Sequence, residues 1–198
     1  MSHLTRIVPL AQDTLAEVLH AGDSAIDLTA GNGHDTLILR QRVGNGGTVF
    51  SFDLQVGALH NTALRLQEAG FSSTLHSTPL TTSPPGVHLI AAGHECLSRY
   101  VTFPVRAIIA NLGYLPGGDK QMVTRPETTL SALQQAMDLL LCGGRLAVVV
   151  YTGHPGGQQE AVAVDQWFAS LDSDSWNVLR TDMPNRSAAP YLLVAEKR

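Results

Sequence analysis

Apolar residues along the chain alternate between helical spacing and short continuous runs, and glycine or Asp/Asn clusters punctuate the changes. Leu10, Leu15, Val18 and Leu19 recur at helical spacing up to Ala21-Gly22-Asp23, which predicts a lead-in helix from Leu10 to His20. Strands are predicted at Ser24 to Leu28, Thr48 to Phe52, Val87 to Ile90, Val105 to Ala110, Arg145 to Tyr151, Trp176 to Asp182 and Tyr191 to Glu196. Helices are predicted between them, at Asp35 to Val43, Gln55 to Ala69, His94 to about Val101, Thr128 to Leu141 and Gly156 to Leu171. The last two strands have no helix between them. Phe71 to Gly86, rich in Ser, Thr and Pro, shows no periodicity and reads as an exposed connector. Strands alternating with helices and closing on a hairpin predict a doubly wound, Rossmann-like α/β sheet of seven strands whose last strand is antiparallel. No internal repeat or boundary divides the 198 residues, so a single domain is expected.

Between the first strand and its helix lies Asp27-Leu28-Thr29-Ala30-Gly31-Asn32-Gly33-His34-Asp35-Thr36. Glycines at a strand-to-helix turn let backbone N–H groups approach a ligand closely. A dinucleotide fingerprint needs a third glycine three positions after Gly33, and Thr36 stands there, which disfavours NAD and FAD. A carboxylate at the strand end followed by small residues suits a ligand with a cationic amino group and a ribose. S-adenosylmethionine is the candidate. Asp53, closing the second strand, lies where an acid meets the ribose hydroxyls.

Composition narrows the picture further. Charged residues are 15% of the chain and the net charge is -4, so no overall basic field advertises nucleic acid. A local basic site remains open through Arg40 with Arg42, Lys120 with Arg125, or Arg180 with Arg186. No apolar run is long enough for a membrane span, and the amino terminus lacks a signal-like apolar segment. With only two cysteines, Cys96 and Cys142, a reducing cytoplasm is expected. Histidines and cysteines show no ligand spacing, so no metal is expected, and no G-x-S-x-G elbow points to a hydrolase.

The glycine turn, Asp53, Gly93-His94 and Asn111-Leu112-Gly113-Tyr114 all sit at strand ends, where doubly wound sheets bind ligands. The run from Asn111 to Lys120 has an Asn-x-x-Tyr spacing that resembles the Asn-Pro-Pro-Tyr motif of amino-group methyltransferases, with Leu112 and Gly113 in place of the prolines. Taken with the turn from Asp27 to Thr36, Asp53-x-Gln55 and His94-Glu95, it resembles the small class I methyltransferases long labelled rRNA methylases. Members of that family methylate the aminomethyl group of 5-aminomethyl-2-thiouridine at the tRNA wobble position. The resemblance runs from about Gly22 onward.

It implies S-adenosylmethionine as cofactor, with Asp27, Thr29, Gly31, Asn32, Gly33, Asp35 and Thr36 at its methionine part, Asp53 and Gln55 at the ribose, and His94 near the adenine. Asn111, also against the cofactor, and Tyr114 would orient the amine. Asp119 reads equally as a base and as an anchor of the Gly117-Gly118 turn. Leu112, Gly113, Tyr114, Pro116, Gly117, Lys120 and His154 would border the substrate, with Lys120 meeting a phosphate or solvent. Partners implied are tRNA and, through related proteins, a second copy in a homodimer. Two other readings stand beside this one: a methyltransferase acting on rRNA or a small amine, and a non-catalytic nucleotide- or RNA-binding module, the latter motivated by Ala92 before Gly93-His94 and by the replaced prolines.

Overall fold

The computed structural model describes residues 6–79, 82, 84–114, 117, 123–186 and 189–198. Its strands are β1 (Ser24–Asp27), β2 (Thr48–Phe52), β3 (Ser73–His76), β4 (Gly86–Ile90), β5 (Val105–Leu112), β6 (Leu140–Val150), β7 (Trp176–Thr181) and β8 (Tyr191–Lys197). They form one sheet in the order β3-β4-β2-β1-β5-β6-β8-β7. Neighbours from β3 to β6 pair in parallel, and β8 runs antiparallel to both β6 and β7. The expected antiparallel last strand is therefore present. The sheet has eight strands rather than seven, because β3 forms within the segment expected to be a connector.

Helices α1 (Ile7–Ala16), α2 (His34–Val43) and α3 (Val56–Glu68) cover one face, and α4 (Leu97–Tyr100), α5 (Pro126–Leu139) and α6 (Gly157–Ala169) the other. The strand pleat explains how both faces are filled. Ala25, Val49, Ala107, Val149 and Leu192 pack with Ala11, Leu15, Leu39 and Leu59. Ile26, Phe50, Ile108, Val148 and Leu193 pack with Leu133, Met137, Val164 and Phe168. Near-continuous apolar strands are what a sheet covered on both faces demands. β6 begins at Leu140, inside the stretch expected to be helix, because Leu140 already pairs with Val105 across the sheet.

From β1 the chain goes to β2, out to β3 at the edge and back to β4 between them, then crosses to place β5 on the other side of β1. This reversal of strand order opens a crevice at the carboxyl ends of β1 and β5.

Candidate active site

A cleft of about 1070 Å³ occupies that crevice. Its walls include the Thr29–Asn32 turn after β1, Asp35 at the start of α2, Asp53 and Gln55 after β2, Gly93–Glu95 after β4, Asn111 on β5, Gly113–Tyr114, and Tyr151–His154 after β6. The candidate stretches, far apart in sequence, thus line one cavity.

The turn after β1 is held from several sides. Gly33 precedes α2 with a φ of 76°, and a Cβ there would lie 2.8 Å from the Thr62 Cα, so both conformation and space call for glycine. Thr62 Oγ1 donates to the Gly31 carbonyl at 3.1 Å, and Arg65 Nε to the Asn32 carbonyl at 2.6 Å. Asp53 accepts the Gly31 N–H at 2.9 Å and the Gln55 N–H at 2.8 Å, tying the turn to the end of β2. Burial raises the Asp53 carboxyl above its ordinary range while those two N–H bonds oppose the rise.

Asp27 lies beneath the turn and not on the cleft wall. It is fully buried, accepting from Thr29 N–H at 3.0 Å and from the Thr36 hydroxyl at 2.7 Å, and Thr36 also meets Ser51 Oγ at 3.0 Å. Burial and the neighbouring Asp35 push its carboxyl up to about 7. Asp27, Gly33 and Thr36, expected against a ligand, instead shape the turn from behind.

Asp35 and Asn111 form the centre of the cleft. Asp35 Oδ2 accepts from Asn111 Nδ2 and Asp35 Oδ1 from Gln12 Nε2, both at 2.6 Å, while the Asn111 backbone N–H donates to Thr29 Oγ1 at 2.8 Å. Because the carboxylate takes the amide nitrogen, the Asn111 carbonyl oxygen is turned the other way. That Oδ1 is buried and has no partner among the described residues. A lone acceptor inside a ligand-sized cleft asks for a donor. The backbone carbonyls that follow are already engaged: Leu112 accepts from Tyr151 N–H at 3.2 Å and Gly113 from Thr124 N–H at 3.0 Å. The Leu112 side chain belongs to the core.

Tyr114 is 42% exposed and forms a bridge with Val123. Glu160 on α6, 1% exposed, holds the segment after Val123 by accepting from Thr124 Oγ1 at 2.7 Å and Thr129 Oγ1 at 2.6 Å. Gly117 is exposed with a φ of 83° and is absent from the cleft wall. Pro116, Asp119 and Lys120 lie outside the described residues. His94, after β4, also lines the cleft; burial lowers its imidazole below the usual range, and its Nε2 has no partner among the described residues. No group of three metal-ligating side chains occurs among the described residues, and Cys96 and Cys142 are unpaired. No helix among the described residues is long and apolar enough to cross a membrane.

Gln12, Thr62, Arg65, Thr124 and Glu160 were not among the expected site residues. Gln12, Thr62, Arg65 and Glu160 reach the site from distant segments, Thr124 follows the Asn111 to Lys120 run, and no motif marks any of them.

Residues 49–197 match the family model described as "Putative rRNA methylase". Over 189 residues the chain is 37% identical to the chloroplastic tRNA (mnm(5)s(2)U34)-methyltransferase of Arabidopsis thaliana; the match takes in 92% of this chain and 66% of the plant protein's length. The crystal structure of a "putative rRNA-methylase" from Clostridium thermocellum shares 38% identity and a TM-score of 0.86 over 96% of this chain and 97% of that one. The crystal structure of "a putative methyltransferase" from Streptococcus mutans, solved in complex with SAH, shares 35% identity and a TM-score of 0.83 over 98% of both chains.

Proposed function

This chain belongs to that rRNA-methylase family of S-adenosylmethionine-dependent methyltransferases, and from this premise we propose that it methylates the amino nitrogen of an aminomethyl group on a modified wobble uridine of tRNA. The observation that carries the amine reading is the buried, partnerless Asn111 Oδ1, its orientation set by Asp35. The tRNA acceptor rests on the plant relative.

The residues present fit the cofactor. Thr29, Gly31, Asn32 and Asp35 would hold the methionine part, Asp53 and Gln55 the ribose, and His94 with Gly93 the adenine end, while Asp27, Gly33 and Thr36 keep the turn in shape. Bound there, the cofactor supplies a methyl group on a sulfonium. The protein must align a nitrogen with that methyl and free its lone pair. An alkylamine with a pKa near 10.4 holds its proton at neutral pH, and releasing it costs roughly 4 to 5 kcal/mol. Asn111 Oδ1 accepts one N–H and so points the nitrogen, and the apolar side of Tyr114 packs beside the base and disfavours the cation.

The acidic net charge and the family's description favour a second reading, in which rRNA or a small amine is the acceptor. Incubation with radiolabelled cofactor separates the two: the proposal expects label in tRNA carrying the aminomethyl nucleoside and none in rRNA or a free alkylamine. Label confined to the latter acceptors contradicts it. A cytoplasmic site of action and a homodimer belong to the same proposal; two unpaired cysteines support the first and the resemblance to related proteins the second.

A further inference from the structure

We propose that His154 is the catalytic base that takes the proton from the substrate ammonium, an inference that rests on the amine reading above. β6 is the sheet neighbour of β5, so the segment leaving β6 runs beside Asn111. His154 lies four residues beyond β6, lines the cleft and is only 8% exposed. Its Nδ1 sits 3.1 Å from the Pro155 carbonyl, which can only accept, so the ring hydrogen is on Nδ1. Nε2 is then a bare acceptor, and it is buried with no partner among the described residues.

Two glycines make room for this nitrogen. A Cβ on Gly157 would stand 2.9 Å from Nε2, and one on Gly113 would stand 3.8 Å away, so two glycines border it. Tyr114 stands edge-on to the ring, its centroid 6.3 Å distant at 80°, and both residues line the cleft.

Three described acids around the cleft are committed elsewhere. Asp35 accepts from Gln12 and Asn111, and Asp53 from two backbone N–H groups. Glu160, the acid of the first turn of α6, is taken by Thr124 and Thr129. Burial raises the Tyr151 phenol, which keeps it protonated. His94 also has a free Nε2, but it follows β4, three strands away from β5.

The proton balance closes without a further reagent. The ammonium gives one N–H proton to Nε2 and becomes a neutral amine; as its lone pair forms the new C–N bond, the S–CH₃ bond of the sulfonium would break with its electron pair staying on sulfur, so that a neutral thioether leaves and the nitrogen again has four bonds and a positive charge. The imidazolium returns its proton to solvent, so one proton is released per methyl transferred.

The test compares wild type with His154→Ala and His154→Gln on tRNA carrying the aminomethyl nucleoside. At neutral pH the variants should lose about 10²- to 10⁴-fold in kcat with cofactor and tRNA Kd unchanged. The defect should shrink as pH approaches the amine pKa, and added imidazole should restore part of the rate in His154→Ala. A kcat within threefold of wild type, or an equal loss at every pH without imidazole rescue, overturns the proposal. Long-range ¹⁵N–¹H correlation of the histidine rings gives a reading that needs no turnover: the Nδ1–H tautomer at His154 is expected, and the Nε2–H tautomer rejects the base role. Wild-type protein that binds cofactor but methylates no aminomethyl tRNA would refute the acceptor reading instead, leaving the tautomer to decide for His154.

Discussion

The Asn111 side-chain amide donates to Asp35 at 2.6 Å, so a carboxylate on the first helix after the glycine turn fixes which way an amide on β5 faces. The bond couples the cofactor half of the cleft to the half that would hold the amine. Asn111→Ala removes the acceptor while leaving Asp35 bound to Gln12. It should keep cofactor affinity within a few fold and lose about 10²-fold in kcat. Calorimetric titration and initial rates read the two quantities separately, and wild-type turnover in this variant contradicts the orienting role.

Gly33 is under two constraints, a left-handed φ of 76° and a contact with Thr62 that leaves no room for a methyl group. Gly33→Ala should cost about 1–3 kcal/mol of stability and weaken cofactor binding by tenfold or more, since the turn has to shift away from α3. Thermal denaturation with and without S-adenosylmethionine checks both effects. A variant with unchanged Tm and unchanged stabilisation by cofactor speaks against the tight fit.

Asp27 gives a pH dependence with a definite sign. Its carboxyl is raised from 3.8 to about 7, by burial first and by Asp35 second. Between those values the folded protein holds a proton that the unfolded chain has released, so this group favours folding at acid pH and that contribution is lost as pH rises through about 7. Asp27→Asn, neutral throughout, should lack that loss, and its Tm relative to wild type should climb as pH increases across this window. A pH-independent difference in Tm excludes an elevated Asp27.

Glu160 is a buried acid whose partners are two hydroxyls from different elements. Glu160→Ala leaves both hydroxyls without their acceptor and should cost about 1–3 kcal/mol. Because Thr124 pairs with Gly113, next to the Tyr114 proposed to pack on the substrate, KM for the acceptor should rise while cofactor Kd holds. Denaturant titration and steady-state kinetics test this, and an unchanged KM limits Glu160 to a stabilising role.

Much of this architecture is written in local patterns. The apolar strands at Ala25, Val49, Ile108 and Val148 and the glycines at 31 and 33 mark their places because hydrophobic runs and left-handed turns have few alternatives. β3 is illegible for the opposite reason. It is a four-residue edge strand with Thr74 and Leu75 exposed, so no buried face imposes a pattern on Ser73–His76. The residue type at Asp27 suits a ligand contact, yet Thr29 and Thr36 draw its carboxylate under the turn, and only tertiary geometry reveals that. Gln12, Thr62 and Glu160 act across long sequence separations on backbone or side chains they do not neighbour, and local sequence carries no trace of such pairs.

The central claim concerns the acceptor, and it is tested most directly on tRNA itself. Nucleoside mass spectrometry of tRNA from cells with and without this protein should show the methylaminomethyl wobble uridine only where the protein is present, with the unmethylated aminomethyl nucleoside accumulating in its absence. Identical wobble-uridine profiles in the two strains would contradict the account.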